Sequence, residues 1–276
     1  NHIEYKNKIY KNQEDFFTAF YAGPYAGYDN FKNIKIFDSV KKIESSAFAG
    51  CKSLESVEIP SSVNVIGNDA FLWCRSLGNV KISDSVAAIG GRAFGECSNL
   101  TEFDMPDSVK RIGLALFFNC KKLSRVKLSN SLEEISRSAF IACDQLKNIE
   151  IPQSVKTICN NAFRECSSLE RMVIPKSVEK IGEKVFYKCT SLKSIKILGN
   201  IKKISEEAFC GCEMLNEVEI PSSVEVICDN AFDSCSSLEK IVIPDSVTTI
   251  GNKVFDNCRN LKSIYYRGKY YSSASE

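Results

Sequence analysis

Cysteine recurs every 23 residues along this chain, at Cys51, Cys74, Cys97, Cys120, Cys143, Cys166, Cys189, Cys212, Cys235 and Cys258, with no insertion or deletion. Phenylalanine keeps the same beat from Phe48 to Phe255, and leucine from Leu54 to Leu261. One clear unit runs from Cys212 to Ser234, CEMLNEVEIPSSVEVICDNAFDS. A fixed period of this size specifies a solenoid. No single unit can bury its own apolar face, so each must borrow its neighbour's. A length of 276 residues alone would suggest one or two domains. The unbroken register over residues 28–266 specifies one elongated domain instead.

Within the unit C-x-x-L-x-x-V-x-I-P-x-S-V-x-x-I-G-x-x-A-F-x-x, the stretch V-x-I alternates with period two and predicts a short strand. The inward pairs run from Ile34/Ile36 through Val57/Ile59, Phe103/Met105, Ile149/Ile151 and Ile241/Ile243 to Ile264/Tyr266. They predict about eleven strands stacked in parallel. The proline that follows, as at Pro60 and Pro152, belongs where a strand ends because it cannot donate to a ladder. The serine after it, as at Ser85 and Ser154, is expected to bond backbone groups of the turn. Ile-Gly-x-x-Ala-Phe predicts a turn leading into a short helical segment, the glycine serving for smallness rather than for positive φ. Leu116, Val185 and Val254 replace the small alanine and are expected to push their coils slightly outward.

Thirteen cysteines raise the question of disulfides. Ten occupy one structural position, where parallel side chains aim past one another, so free buried thiols are expected. The others are Cys159, Cys210 and Cys228. A net charge of +2, with both signs well mixed, points to neither nucleic acid nor an anionic membrane. No apolar run approaches the ~20 residues of a membrane helix. The chain opens on Asn1 rather than Met and shows no secretory signal, which leaves room for a segment upstream.

Both ends leave the repeat. Residues 1–27 are expected to cap the first coil: a strand or hairpin over His2–Tyr10, a short helix over Glu14–Tyr21 and a turn over Ala22–Gly27. Residues 267–276 are expected to be a minimal cap or the edge of a longer array.

The recurrent L-x-x-[VI]-x-[IL]-P-x-S-V-x-x-I-G-x-x-A-F-x-x-C resembles the BspA-like leucine-rich repeats over residues 28–266. Ser83, Ser129 and Leu198 depart from it at the proline. The resemblance implies an α/β solenoid, a right-handed superhelix with one parallel sheet on its concave side. It also implies adhesion to host or matrix proteins and a cell-surface or secreted setting. It supplies no catalytic residues.

The residues themselves offer no reactive centre. The only histidine is His2, no glycine-rich phosphate loop is present, and Cys210-Gly-Cys212 has too few ligands for a metal. The expectation is a protein that is not an enzyme and carries no cofactor or metal. Binding would use the outer face of the sheet, where Arg125, Lys127, Glu150, Arg171, Val173, Lys196, Glu219, Val242 and Tyr265 fall in two columns. That face reads either as a self-neutralising solvated surface, through cross-strand charge pairs, or as a mixed groove for a protein or glycan. On the convex side, Leu72, Trp73, Leu114, Phe118, Ile141 and Tyr187 form a second candidate, as a partner surface or as a half-covered part of the core. The functional expectation is an interaction or adhesion module. The alternative is a structural spacer or intracellular scaffold, with self-association through the Leu72–Phe118 side as one version of it; oligomeric state stays open.

Overall fold

The computed structural model describes residues 3–5, 8–10 and 32–272. It is a parallel β-solenoid of about ten turns, with no helix among the described residues. Alternation of inward apolar and outward polar residues builds the first ladder. Its strands are Asn33–Lys35, Ser56–Ile59, Asn79–Ile82, Glu102–Asp104, Arg125–Lys127, Arg171–Ile174, Ser194–Ile197, Glu217–Glu219, Lys240–Ile243 and Ser263–Tyr266. Most neighbours pair in parallel with a 23-residue offset, as Met172 with Ile195 and Ile195 with Val218, but Asn79–Ile82 does not pair with Glu102–Asp104, nor Glu217–Glu219 with Lys240–Ile243. Ten of the eleven expected strands form. At residues 148–151 the side chains still alternate, with Ile149 and Ile151 buried. No backbone N–H there donates to the preceding coil, so no ladder closes.

A second parallel ladder, absent from the reading of the sequence, follows the proline turn. It is built of two-residue strands, from Lys42–Ile43 and Val65–Ile66 to Val226–Ile227 and Thr249–Ile250. Close approach of neighbouring coils explains the small residue after it. A Cβ on Gly67 would lie 2.6 Å from the backbone N of Ser45, and Gly67 has no positive φ to explain it otherwise.

The segment expected to be a short helix is a run of tight turns. In one coil Asp69 has φ 58° and Trp73 has φ 62°. Both positions are left-handed in every coil, from Ser46 and Gly50 to Lys253 and Asn257. A left-handed residue every fourth position ends a right-handed helix before it starts, and costs about 1–2 kcal/mol at each non-glycine. The compensation lies between coils. Asp69, Phe71 and Trp73 donate their N–H groups to the carbonyls of Gly91, Ala93 and Gly95 at 2.8, 2.8 and 3.0 Å. A helix would spend those donors internally.

Between the ladders lies the core. The repeat leucines from Leu54 to Leu238 are fully buried, and the phenylalanines stack face to face along the axis. Ring centroids stand 5.2–5.5 Å apart at six steps. The three wider steps are Phe94–Phe117 at 6.1 Å, Phe163–Phe186 at 5.7 Å and Phe232–Phe255 at 5.7 Å. They enter the coils where Leu116, Val185 and Val254 replace alanine. The widest also admits Phe103 edge-on, 5.0 and 4.7 Å from its two neighbours.

All thirteen cysteines are free. Nine repeat thiols, Cys74 to Cys258, donate to the carbonyl of the phenylalanine 26 residues earlier at 3.0–3.3 Å. Position-specific cysteine thus reflects a small apolar group with one donor. Serine supplies a second rung: Ser85, Ser108, Ser154, Ser223 and Ser246 each donate Oγ–H to a carbonyl 22 residues earlier, at 2.6–2.8 Å. Ser154→Ala removes the hydrogen-bond donor to the Leu132 carbonyl. Equilibrium denaturation should show a loss of about 1–3 kcal/mol, the cost of a buried group left unpaired.

At the C-terminal end Lys269–Tyr271 folds back antiparallel on Ser263–Tyr266 through Arg267 (φ 48°) and Gly268 (φ 74°). Tyr266 Oη–H donates to the Val247 carbonyl at 2.8 Å, where a next coil would place its serine. At the other end Ile3–Tyr5 pairs antiparallel with Lys8–Tyr10, the hairpin option for that stretch. The helix expected over Glu14–Tyr21 and the turn over Ala22–Gly27 lie outside the described residues.

Candidate binding groove on the strand ladder

The first ladder turns two columns of side chains to solvent. Between strands Arg171–Ile174 and Lys240–Ile243 this face sinks into a groove of about 760 Å³. Five of the nine residues anticipated on this face line it: Arg171, Val173, Lys196, Glu219 and Val242. Val173 and Val242 are 53% and 59% exposed, against 3% for Ile195 on the inner face. Glu217 and Lys240 join them; the column register held them, but nothing in the sequence marked where the face would sink. Strands Glu217–Glu219 and Lys240–Ile243 are neighbours without ladder pairing, so a seam crosses the groove floor.

The other four candidates lie outside it. Arg125 is held by a carboxylate on either side of its fork, at 2.8 Å from Asp104 and 3.0 Å from Glu102. Those hydrogen bonds, Asp104's first, push its pKa up. Lys127 and Glu150 are exposed, and Tyr265 is half-buried against Tyr270 at 4.9 Å. Self-neutralisation of this face is therefore local. Eight of eleven ion pairs among the described residues do join positions 23 apart, but Glu102–Arg125 alone of these lies in the two columns. Arg171, Lys196, Glu217, Glu219 and Lys240 have no side-chain ion pair or hydrogen bond among the described residues.

The second candidate surface is dispersed. Leu72 is buried, its Cδ1 2.9 Å from where a Cβ on Gly95 would stand. Trp73 is 37% and Leu114 59% exposed, two coils apart; Phe118 and Ile141 are half-buried in adjacent coils. Tyr187 is half-buried, with the Arg164 guanidinium 4.9 Å from its ring centre and the Lys188 amine 5.4 Å.

A smaller hollow of about 510 Å³ on the second ladder contains Cys159. Burial first, then Glu134, pushes this thiol up to about 11. Burial likewise raises Cys228 and, with Asp233, lifts Cys210 to about 11. A cysteine nucleophile needs the opposite shift. Among the described residues no group of three or more His, Cys, Asp or Glu could hold a metal ion. No helix among them is long and apolar enough to cross a membrane.

A solenoid of stacked strand-and-turn units with a leucine at each inner corner is the architecture of a leucine-rich repeat protein. The chain belongs to the BspA type leucine rich repeat region family, whose model matches residues 18–147, 89–216 and 133–262. Among solved structures it is similar to a leucine rich cell surface protein of Faecalibacterium prausnitzii A2-165. Identity is 28%, over 83% of this chain and 84% of that one, with a TM-score of 0.45. A leucine-rich repeat protein of Bacteroides ovatus ATCC 8483 is 26% identical over 84% and 88%, with a TM-score of 0.46. The pneumococcal vaccine antigen PcpA is 21% identical over 87% and 73%, with a TM-score of 0.52. No curated protein matches the chain significantly.

Proposed function

We propose that this chain is a non-enzymatic protein-interaction module that binds its partner in the groove between Arg171 and Lys240. One observation carries the reading: two exposed valines and five unpaired charges share a single depression. Arg125, on the same face outside the groove, is by contrast already held by Glu102 and Asp104. Membership of a repeat family built for recognition supports the same reading. Adhesion at a cell surface, or after secretion, is the setting that the family resemblance supplies. A right-handed winding accompanies it, as expected for crossovers between parallel strands.

Immobilised matrix proteins and glycans, presented to the purified chain, test the proposal. Saturable binding at or below about 10 µM is expected, and Val173→Asp with Val242→Asp should abolish it. No binding across the panel, or binding indifferent to both substitutions, would remove the groove from consideration.

A further inference from the structure

Resting on that groove, we infer that its occupant is an extended polypeptide lying along the solenoid axis. It carries apolar side chains at positions i and i+4 and a basic side chain at i+2. The dimensions come from the two repeats involved. Val173 and Val242 stand in one column, three strand steps apart, about 14 Å at strand spacing. An extended chain advances about 13 Å in four residues and returns the same face every second residue. Its side chains at i and i+4 thus fall on the two valines, and i+2 falls between them.

Charge selects the middle residue. Glu217 and Glu219 project from one strand onto the same face, and both are exposed and unpaired. The strand before offers one cation, Lys196, beside the neutral Ser194. Two carboxylates against one ammonium favour a cation at i+2. Arg171 and Lys240 lie on the strands of Val173 and Val242, in the second column and level with the two anchors. The seam between Glu217–Glu219 and Lys240–Ile243 adds backbone groups beneath the path of the ligand.

Selection from a displayed random dodecapeptide library against the full chain tests this. Enriched peptides should carry aliphatic or aromatic residues four apart, with Lys or Arg midway. Val173→Asp or Val242→Asp should weaken them at least about tenfold. Glu219→Lys should reverse the preference at i+2 from basic to acidic, by about tenfold. Peptides that bind the groove without the four-residue spacing would overturn the inference and leave the groove reading standing. So would a glycan that binds the groove, as judged by loss on Val173→Asp. Failure to enrich any peptide would overturn the inference as well. Peptides indifferent to all three substitutions would overturn both.

Discussion

Raising the pH from about 8 to about 9.5 is expected to remove about 10 kcal/mol of unfolding free energy from this protein, comparable to the whole stability of an ordinary domain. The cause is the thiol ladder. Burial, the first cause in each case, raises the pKa of Cys74, Cys97, Cys120, Cys143, Cys166, Cys189, Cys212 and Cys235. In the unfolded chain each ionises near about 8.5. Below that value both states hold the proton and the thiols contribute their full stabilisation. Above it the unfolded state loses protons that the folded state keeps, so stability falls as pH rises. The fall continues until the folded thiols themselves titrate. Each fully ionised thiol contributes about 1.4 kcal/mol per pH unit, and eight act together. Urea unfolding in reducing buffer across this window measures it. A midpoint that stays level would show that the thiols are not held in the interior. Each Cys→Ala substitution in the ladder should flatten the slope by one thiol's share.

Phe140→Ala is expected to cost about 3–5 kcal/mol. The ring is fully buried and stacks on Phe117 at 5.4 Å and Phe163 at 5.3 Å, so its loss leaves a cavity bounded by three coils. Coils above and below are held by their own phenylalanines and cannot close the gap. Phe255 sits in the last coil with one stacking partner among the described residues, and Phe255→Ala should cost clearly less. Denaturant titration of the two variants tests this. Equal losses would mean that stability is not shared coil by coil, as a solenoid requires.

What the sequence revealed and concealed follows from the length of each pattern. The inner positions, Phe140, Cys143, Leu146 and Val155 in one coil, recur often enough to be read without a structure, and all are buried. The second ladder is different. Lys42–Ile43 and its successors contribute two residues each, too short for any alternation to show. The left-handed positions hid for another reason. Trp73, Glu96, Asn119, Ala142 and Lys188 share one backbone conformation but no side-chain property, because the requirement is met by an N–H reaching the next coil. Only Gly50 and Gly211 carry glycine at these positions, so residue type does not mark the left-handed turns. The groove was half legible. Its residues could be placed in columns, but the depression depends on relief across several coils, which no single unit encodes.

Donors in the turn segment point one way along the axis, each coil handing its N–H groups forward to carbonyls of the next. In this segment the backbone bonding between one pair of coils therefore repeats at each of the other joints. Removing or duplicating a block of 23 residues would leave these turn bonds matched, provided the cut respects the register. Length in such a molecule is thus a matter of copy number, and a ligand site could be carried nearer to or farther from either end of the solenoid without redesigning the body that bears it.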